Sequence, residues 1–171
     1  MKGFKQIRFG HLLKLASLIL FLLAGFTSAD ELQDNLSLKD FATRYAAAWS
    51  SQDPESLASF YSENGSLKVN DGDPSRGRGA IEATARDFMT AFPDMIVQLT
   101  GLESDGDRVI FHWRWTGTNT GPGGTGNAVD INGYEVWTMG ADGLIAESLG
   151  HYDEAGYQRQ VNKPVTGPAD R

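Results

Sequence analysis

A single carboxylate stands among aromatic side chains, where a charge is costly. Between Val109 and Met139 two stretches alternate strictly and are joined by a glycine-rich connection. Val109, Phe111, Trp113 and Trp115 share one face of the first strand. On the returning strand Ile131, Glu135, Trp137 and Met139 share one face, with Gly133 between them. Glu135 thus projects from an apolar face, and such a group is paired, protonated or functional. Apolar surroundings raise a carboxyl's proton affinity toward neutrality, which is what a general base for a carbon acid needs. The structural alternative is a carboxylate paired with Arg114 or capped by the Tyr134 region.

The aromatic residues around this acid give a second candidate feature. Trp49, Tyr61, Phe88, Trp113, Trp115 and Trp137 can line a pocket for a flat or hydrophobic ligand, or can simply be core. Asn119, at the end of the first strand, can hydrogen-bond a ligand at the pocket mouth or shape a turn. Gly121, Gly123 and Gly126 match the spacing of a dinucleotide fingerprint. Alternating strand residues follow them, so no helix N-terminus is available to receive a pyrophosphate, and that reading is rejected. His11, His112 and His151 lack metal-ligand spacing, and no metal site is expected. His112 lies on the polar side of its strand by parity, and His151 is expected to pair with Glu147.

These residues need elements to position them. Residues 1–29 open with Lys2, Lys5, Arg8 and Lys14, continue with the apolar run Leu15–Phe26 and end in Thr27-Ser28-Ala29. This is the pattern of a cleaved export signal, with a retained anchor as the alternative. Its removal takes four of the 15 Lys/Arg and none of the 22 Asp/Glu, leaving 11 basic against 22 acidic side chains, a formal charge of −11. Such a surface disfavours nucleic acid and anionic membranes as partners. The chain has no cysteine, so no disulfide or lipid-modified cysteine is available.

Residues 30–36 form a polar lead-in, and a domain is expected over 37–161, with 162–171 as a C-terminal tail. Ser37 caps a helix carrying Phe41, Tyr45, Ala48 and Trp49 to about Ser50. Asp53-Pro54 starts a second, short helix that presents Leu57, Phe60 and Tyr61. Ser66–Val69 reads as a short strand, 70–79 as loop, and Ala80–Phe92 as a third helix stopped by Pro93. Met95–Leu102 and Leu144–Tyr152 complete a four-stranded meander with the central pair. Helices early and hairpins late predict an α+β fold, a curved, mainly antiparallel sheet on three N-terminal helices around an internal pocket.

From about Ser37 to Gln160 the chain resembles the SnoaL-like polyketide cyclases of the nuclear transport factor 2-like superfamily. The resemblance rests on Tyr45–Trp49 followed by Asp53, on Arg78-Gly79-Ala80-Ile81, and on Ala91-Phe92-Pro93-Asp94. It continues in Trp115–Gly121, Gly133–Trp137 and Asp142–Ile145. Such cyclases close a ring by an intramolecular aldol reaction without metal or cofactor. By that resemblance Glu135 stands at the acid/base aspartate and Asn119 replaces an assisting histidine. Glutamate keeps the chemistry on a longer arm, whereas asparagine can bind an enolate oxygen but carries no titrating proton at neutral pH. The family's acidic residue in the final strand falls on Gly150. The resemblance also implies a homodimer.

Two functions stay open at this point. One is an exported catalyst of cofactor-free acid/base chemistry, of aldol cyclase or isomerase type, on a small hydrophobic carbonyl compound, with Glu135 as base and Asn119 as orienting donor. The other is a non-catalytic ligand-binding or dimerisation module of the same fold.

Overall fold

The computed structural model describes residues 33–105 and 107–163. The expected export signal and most of the C-terminal tail lie outside these residues. The chain divides into two compact units, Met1–Asp40 and Phe41–Arg171. Of the first, residues 33–40 are described, and they are helical. Among the described residues no helix is long and apolar enough to cross a membrane.

Helix α1 covers residues 33–50, so Ser37 lies inside it and is not its cap. Its periodic face buries Ala42, Tyr45, Ala46, Ala48 and Trp49. Helix α2 is Pro54–Ala58, opened by Asp53, whose carboxylate accepts from the Ser56 N–H at 3.2 Å. Strand β1 is Tyr61–Val69 and β2 is Ser75–Arg76. Helix α3, Arg78–Ala91, buries Ile81, Ala85 and Met89 and ends before Pro93. Strands β3 (Ile96–Asp105), β4 (Arg108–Thr118), β5 (Ala128–Met139) and β6 (Ile145–Tyr152) follow, and helix α4 is Glu154–Val161.

The six strands form one sheet in the order β2-β1-β6-β5-β4-β3. All neighbours are antiparallel except β1 and β6, which run parallel. The sheet is curved and mixed, and the fold is α+β, as the order of elements predicts. Period-two alternation along β4 turns Val109, Phe111, Trp113 and Trp115 inward, and on β5 it does the same for Val129, Ile131, Glu135 and Trp137.

Three further expectations are corrected. The short strand expected at 66–69 begins at Tyr61, which leaves the α2 helix for the sheet. The cause is tertiary: the Ile145 N–H donates to the Phe60 carbonyl at 2.9 Å, and Tyr61 registers with Ile145 before an irregularity carries the pairing to Ser66. A residue larger than glycine at 65 would press into the Ile145 carbonyl, which sits 2.8 Å from the Cβ position. Within the expected loop at 70–79, Ser75 and Arg76 pair with Leu67 and Ser66 as a two-residue edge.

Helix α4 is the third correction. Its sequence, EAGYQRQV, has almost no apolar face and buries only Gly156. Tertiary contacts hold it. Tyr157 stacks on Trp115 with centroids 5.8 Å apart, and the Asn127 amide donates to the carbonyls of Val161 at 2.8 Å and Lys163 at 2.7 Å. Gln160 accepts from the Asp130 N–H and donates to the Asp130 carbonyl.

Candidate functional site

Glu135 is 6 % exposed, and its neighbours explain how the fold accommodates an acid. It faces Phe111 on β4 and Gly150 on β6 in register. A Cβ at 150 would sit in ordinary van der Waals contact with Glu135 Cγ at 3.7 Å. Three donors from three elements converge on Oε2: the Ser148 hydroxyl at 2.6 Å, the Tyr45 hydroxyl at 2.8 Å and the Trp137 indole N–H at 2.9 Å. Oε1 has no such partner among the described residues, and Glu135 lines an adjoining cavity. A proton on this carboxyl therefore belongs on Oε1, since Oε2 is already saturated with donors.

Burial pushes the Glu135 carboxyl above the usual carboxylate range, and the bonds from Ser148, Trp137 and Tyr45 oppose that shift without cancelling it. The Tyr45 hydroxyl is also 2.8 Å from that of Tyr61. Burial, together with the neighbouring Glu135 charge, drives both phenols well above their ordinary value, so they stay protonated. Trp137 stacks on Phe111 at 4.8 Å and Tyr45 meets both rings edge-on, which fixes the donors in place.

The alternative that Glu135 pairs with Arg114 is not realised. Arg114 points to the other side of the sheet, where its Nε and Nη2 donate to Asp130 at 2.8 and 2.6 Å. This fork raises the affinity of Arg114 for its proton and holds Asp130 below the usual carboxylate range. His112 bonds Glu103 at 2.9 Å on that same side. His151 packs on the Tyr134 ring at 4.9 Å, in place of the expected pairing with Glu147.

The cavity beside Glu135 measures about 70 Å3. The rings of Trp49, Phe88, Trp113, Trp115 and Tyr152 line it, and aliphatic side chains, Met95 and Gly150 complete the wall. Its volume is well under the several hundred Å3 of a pocket for a drug-sized ligand, so a bound molecule is compact or displaces side chains. Of the six aromatic residues singled out from sequence, four therefore meet at the cavity. Tyr61 and Trp137 are fully buried behind it, Trp137 bonded to Glu135 and Tyr61 to Tyr45.

Asn119 is not brought to Glu135. Its amide donates to the Ala91 carbonyl at 3.1 Å and its side-chain oxygen accepts from the Thr125 N–H at 2.8 Å. It ties the glycine-rich connection to the end of α3. Gly121 belongs to the same junction: its N–H donates to Ala91 O at 3.2 Å, and any Cβ there would collide with the Thr90 carbonyl. Asp94 secures the strand side, accepting from the Thr118 N–H at 2.6 Å and the Thr118 hydroxyl at 2.7 Å, which lowers its proton affinity. Gly121 and Gly124 serve close packing, whereas Gly123 and Gly126 have open space around them and adopt positive φ of 76° and 75°.

Two residues at the heart of the site were not singled out from sequence as site residues. Tyr45 reads there as one more apolar position of α1. Ser148 shares the parity of Gly150 and Tyr152, opposite to Glu147, Leu149 and His151, so a hydroxyl on the inward face of β6 was the available signal.

The fold and site define an α+β protein with a curved mixed sheet and a buried acid beside an aromatic cavity. Residues 42–148 match the SnoaL-like domain family, and the chain belongs to it. No curated protein matches the chain. Among solved structures it is similar to a SnoaL-like polyketide cyclase from Jannaschia sp. CCS1, at 19 % identity and a TM-score of 0.66, over 73 % of this chain and 91 % of that one. A protein with a ketosteroid isomerase-like fold from Catenulispora acidiphila, solved in complex with trimethylamine, shares 19 % identity and a TM-score of 0.63 over 71 % and 91 %. An epoxide hydrolase/cyclase-like enzyme, SalBIII, of pyran ring formation in salinomycin shares 21 % identity and a TM-score of 0.62 over 72 % and 96 %. At these identities the likeness carries the fold.

Proposed function

We propose that this protein performs cofactor-free acid/base chemistry, of aldol cyclase or isomerase type, on a compact hydrophobic carbonyl compound, with Glu135 as the proton-transferring group. One observation carries this reading. Glu135 is a buried carboxyl that lines the cavity, anchored through Oε2 by three donors, with no cationic partner and no donor to Oε1 among the described residues. A purely structural acid gains nothing from having its charge left uncompensated. A proton acceptor gains the raised basicity it needs to work near neutral pH. Oε1 takes a proton from a carbon next to the ligand carbonyl, the C–H electron pair becomes the enolate, and the same oxygen returns the proton at the new position. The cyclase and epoxide hydrolase/cyclase-like relatives support this class of chemistry. Asn119 has no part in it.

The test is exchange of the α-protons of cyclohexanone in deuterated buffer, followed by NMR. Wild type accelerates the exchange and Glu135→Gln, which keeps shape and hydrogen-bond acceptance, does not. Equal rates in the two proteins refute the catalytic role.

A second reading is a non-catalytic binding module. The five rings around a carboxyl resemble the cages that hold organic cations, and the Catenulispora acidiphila relative was solved with trimethylamine. Binding of trimethylammonium without any exchange activity would favour it. We further propose export, on the basic and apolar pattern of residues 1–29, and a homodimer formed through the outer sheet face, where Tyr134 and Ile96 are exposed. Mature N-terminal sequencing and native mass spectrometry decide these two points.

A further inference from the structure

Three glycines stand at inward positions of the central strands: Gly117 on β4, Gly133 on β5 and Gly150 on β6. The alternation that turns Trp115, Ile131, Glu135 and Ser148 inward places all three on that face. The protein itself covers the first two. A Cβ at 117 would meet the Phe92 side chain and the Met95 Cα at 3.4 Å, and one at 133 would collide with the Trp113 ring. Gly150 differs. Leaving aside its chain neighbours, only the Lys68 carbonyl oxygen at 3.4 Å and Glu135 Cγ at 3.7 Å lie within 4 Å of its Cβ position among the described residues.

Nothing in the local conformation demands a glycine at 150. Its φ lies outside the left-handed region, and it pairs in register with Val69 on one side and Glu135 on the other. A glycine inside a strand costs stability relative to alanine, and it often marks the close approach of a ligand or of another backbone. No other backbone packs over the inward side of Gly150 among the described residues. What adjoins it is the cavity: Gly150 is buried, and it forms part of the wall together with Glu135, Leu67, Val69 and Tyr152.

We propose that Gly150 is a specificity-determining position of this cavity: the ligand seats aliphatic carbon against its bare main chain, and the missing side chain sets the largest ligand that fits beside the Glu135 carboxyl. The neighbours fix the chemistry of that contact. Leu67, Val69 and the Tyr152 ring present apolar surface, so the part of the ligand next to Gly150 is hydrocarbon. In a cavity of about 70 Å3 a single added methyl group is felt. On the acid/base reading above, that hydrocarbon is the flank of a ketone substrate. The identification as substrate rests on that reading, whereas the size limit does not.

The experiment is titration of wild type and Gly150→Ala with acetone and with cyclohexanone, which share the carbonyl and differ in breadth. Protein labelled with 13C at the methionine methyls reports binding through Met95 in the cavity wall, and Met95→Leu assigns its signal. Gly150→Ala is expected to bind cyclohexanone about tenfold more weakly than wild type, the size of effect of one methylene in an apolar pocket. Acetone binding stays within about twofold, the smaller ketone leaving room for the methyl group. The urea midpoint of the variant equals or exceeds that of wild type, because alanine restricts the unfolded chain more than glycine does. A glycine kept for structure would behave otherwise, losing stability and weakening both ketones alike. Unchanged cyclohexanone binding, equal weakening of both ketones, a variant that loses stability or fails to fold, or no Met95 shift in wild type each overturns the proposal. Exchange of cyclohexanone protons is read on the same samples. Size selection without exchange leaves this inference standing and sinks the catalytic one; exchange without size selection does the reverse.

Discussion

The Tyr45 hydroxyl donates to Glu135 Oε2 at 2.8 Å, joining the first helix to the fifth strand across most of the domain's sequence. The same hydroxyl lies 2.8 Å from that of Tyr61 on β1. One phenol thus couples three elements through groups that are wholly buried, and its removal leaves two of them short of a partner.

Tyr45→Phe is therefore expected to destabilise the protein by about 2 kcal/mol, the cost of unpairing a buried polar group. The loss depends on pH. Tyr45 lowers the proton affinity of Glu135 by bonding its charged form, so the variant suffers more at neutral than at acidic pH, where the carboxyl is protonated in both states. Urea unfolding at the two pH values checks this, and an equal loss at both contradicts it.

Glu135 itself gives a stability profile of opposite sense to that of an ordinary ion-paired acid. Its folded-state proton affinity is raised by burial, so between the ordinary glutamate value and its own the unfolded chain has released a proton that the folded chain retains. Stability then falls as pH rises through that window and is level above it. Glu135→Gln has no such proton. Its stability relative to wild type should climb across the same window, with the Gln side-chain oxygen accepting the three donors in place of Oε2. Denaturant midpoints of both proteins across the acid range provide the measurement, and parallel curves count against the buried-acid description.

Asn119→Ala separates turn from site. The side chain bonds Ala91 O and Thr125 N–H and reaches no part of the cavity. A loss of about 1 kcal/mol in stability is expected, with cyclohexanone exchange per folded molecule unchanged. A variant of normal stability and lowered exchange would restore the residue to the site.

The strand pair was legible because both of its faces obey the same alternation, and Glu135 was legible because it breaks the apolar half of that pattern. Trp49, Phe88, Trp113 and Trp115 could be placed near it from helical and strand periodicity alone. Four things were not readable. Helix α4 has no amphipathic signal, since its packing depends on the Tyr157 ring and on Asn127 from a distant loop. Strand β1 starts early because β6 captures the chain at Phe60 and Tyr61, a partner some 84 positions on in register. Asn119 was misassigned because an asparagine at a strand end has the same local sequence whether its amide meets a ligand or the carbonyl of Ala91. The donors to Glu135 were hidden for a related reason: a tyrosine and a serine at inward positions look like packing until their hydroxyls are seen to converge.

Ser148 offers the sharpest test of that convergence. It makes the shortest of the three bonds to Oε2, at 2.6 Å, and is fully buried. Of the bonds that hold down the proton affinity of Glu135 its contribution is the largest. Ser148→Ala removes the hydroxyl with little change in volume, so the carboxyl should take its proton at a higher pH than in wild type. The midpoint is read directly from the Glu135 side-chain carbon in 13C-glutamate-labelled protein, with Glu135→Gln to assign the signal. If Glu135 is the base, the rising limb of the pH profile for cyclohexanone exchange moves upward by the same interval, because activity follows the ionised fraction. A midpoint that stays in place removes Ser148 from the charge balance of the site. A midpoint that moves while the rate profile does not removes Glu135 from the reaction, since the group that controls the rate would then be a different one.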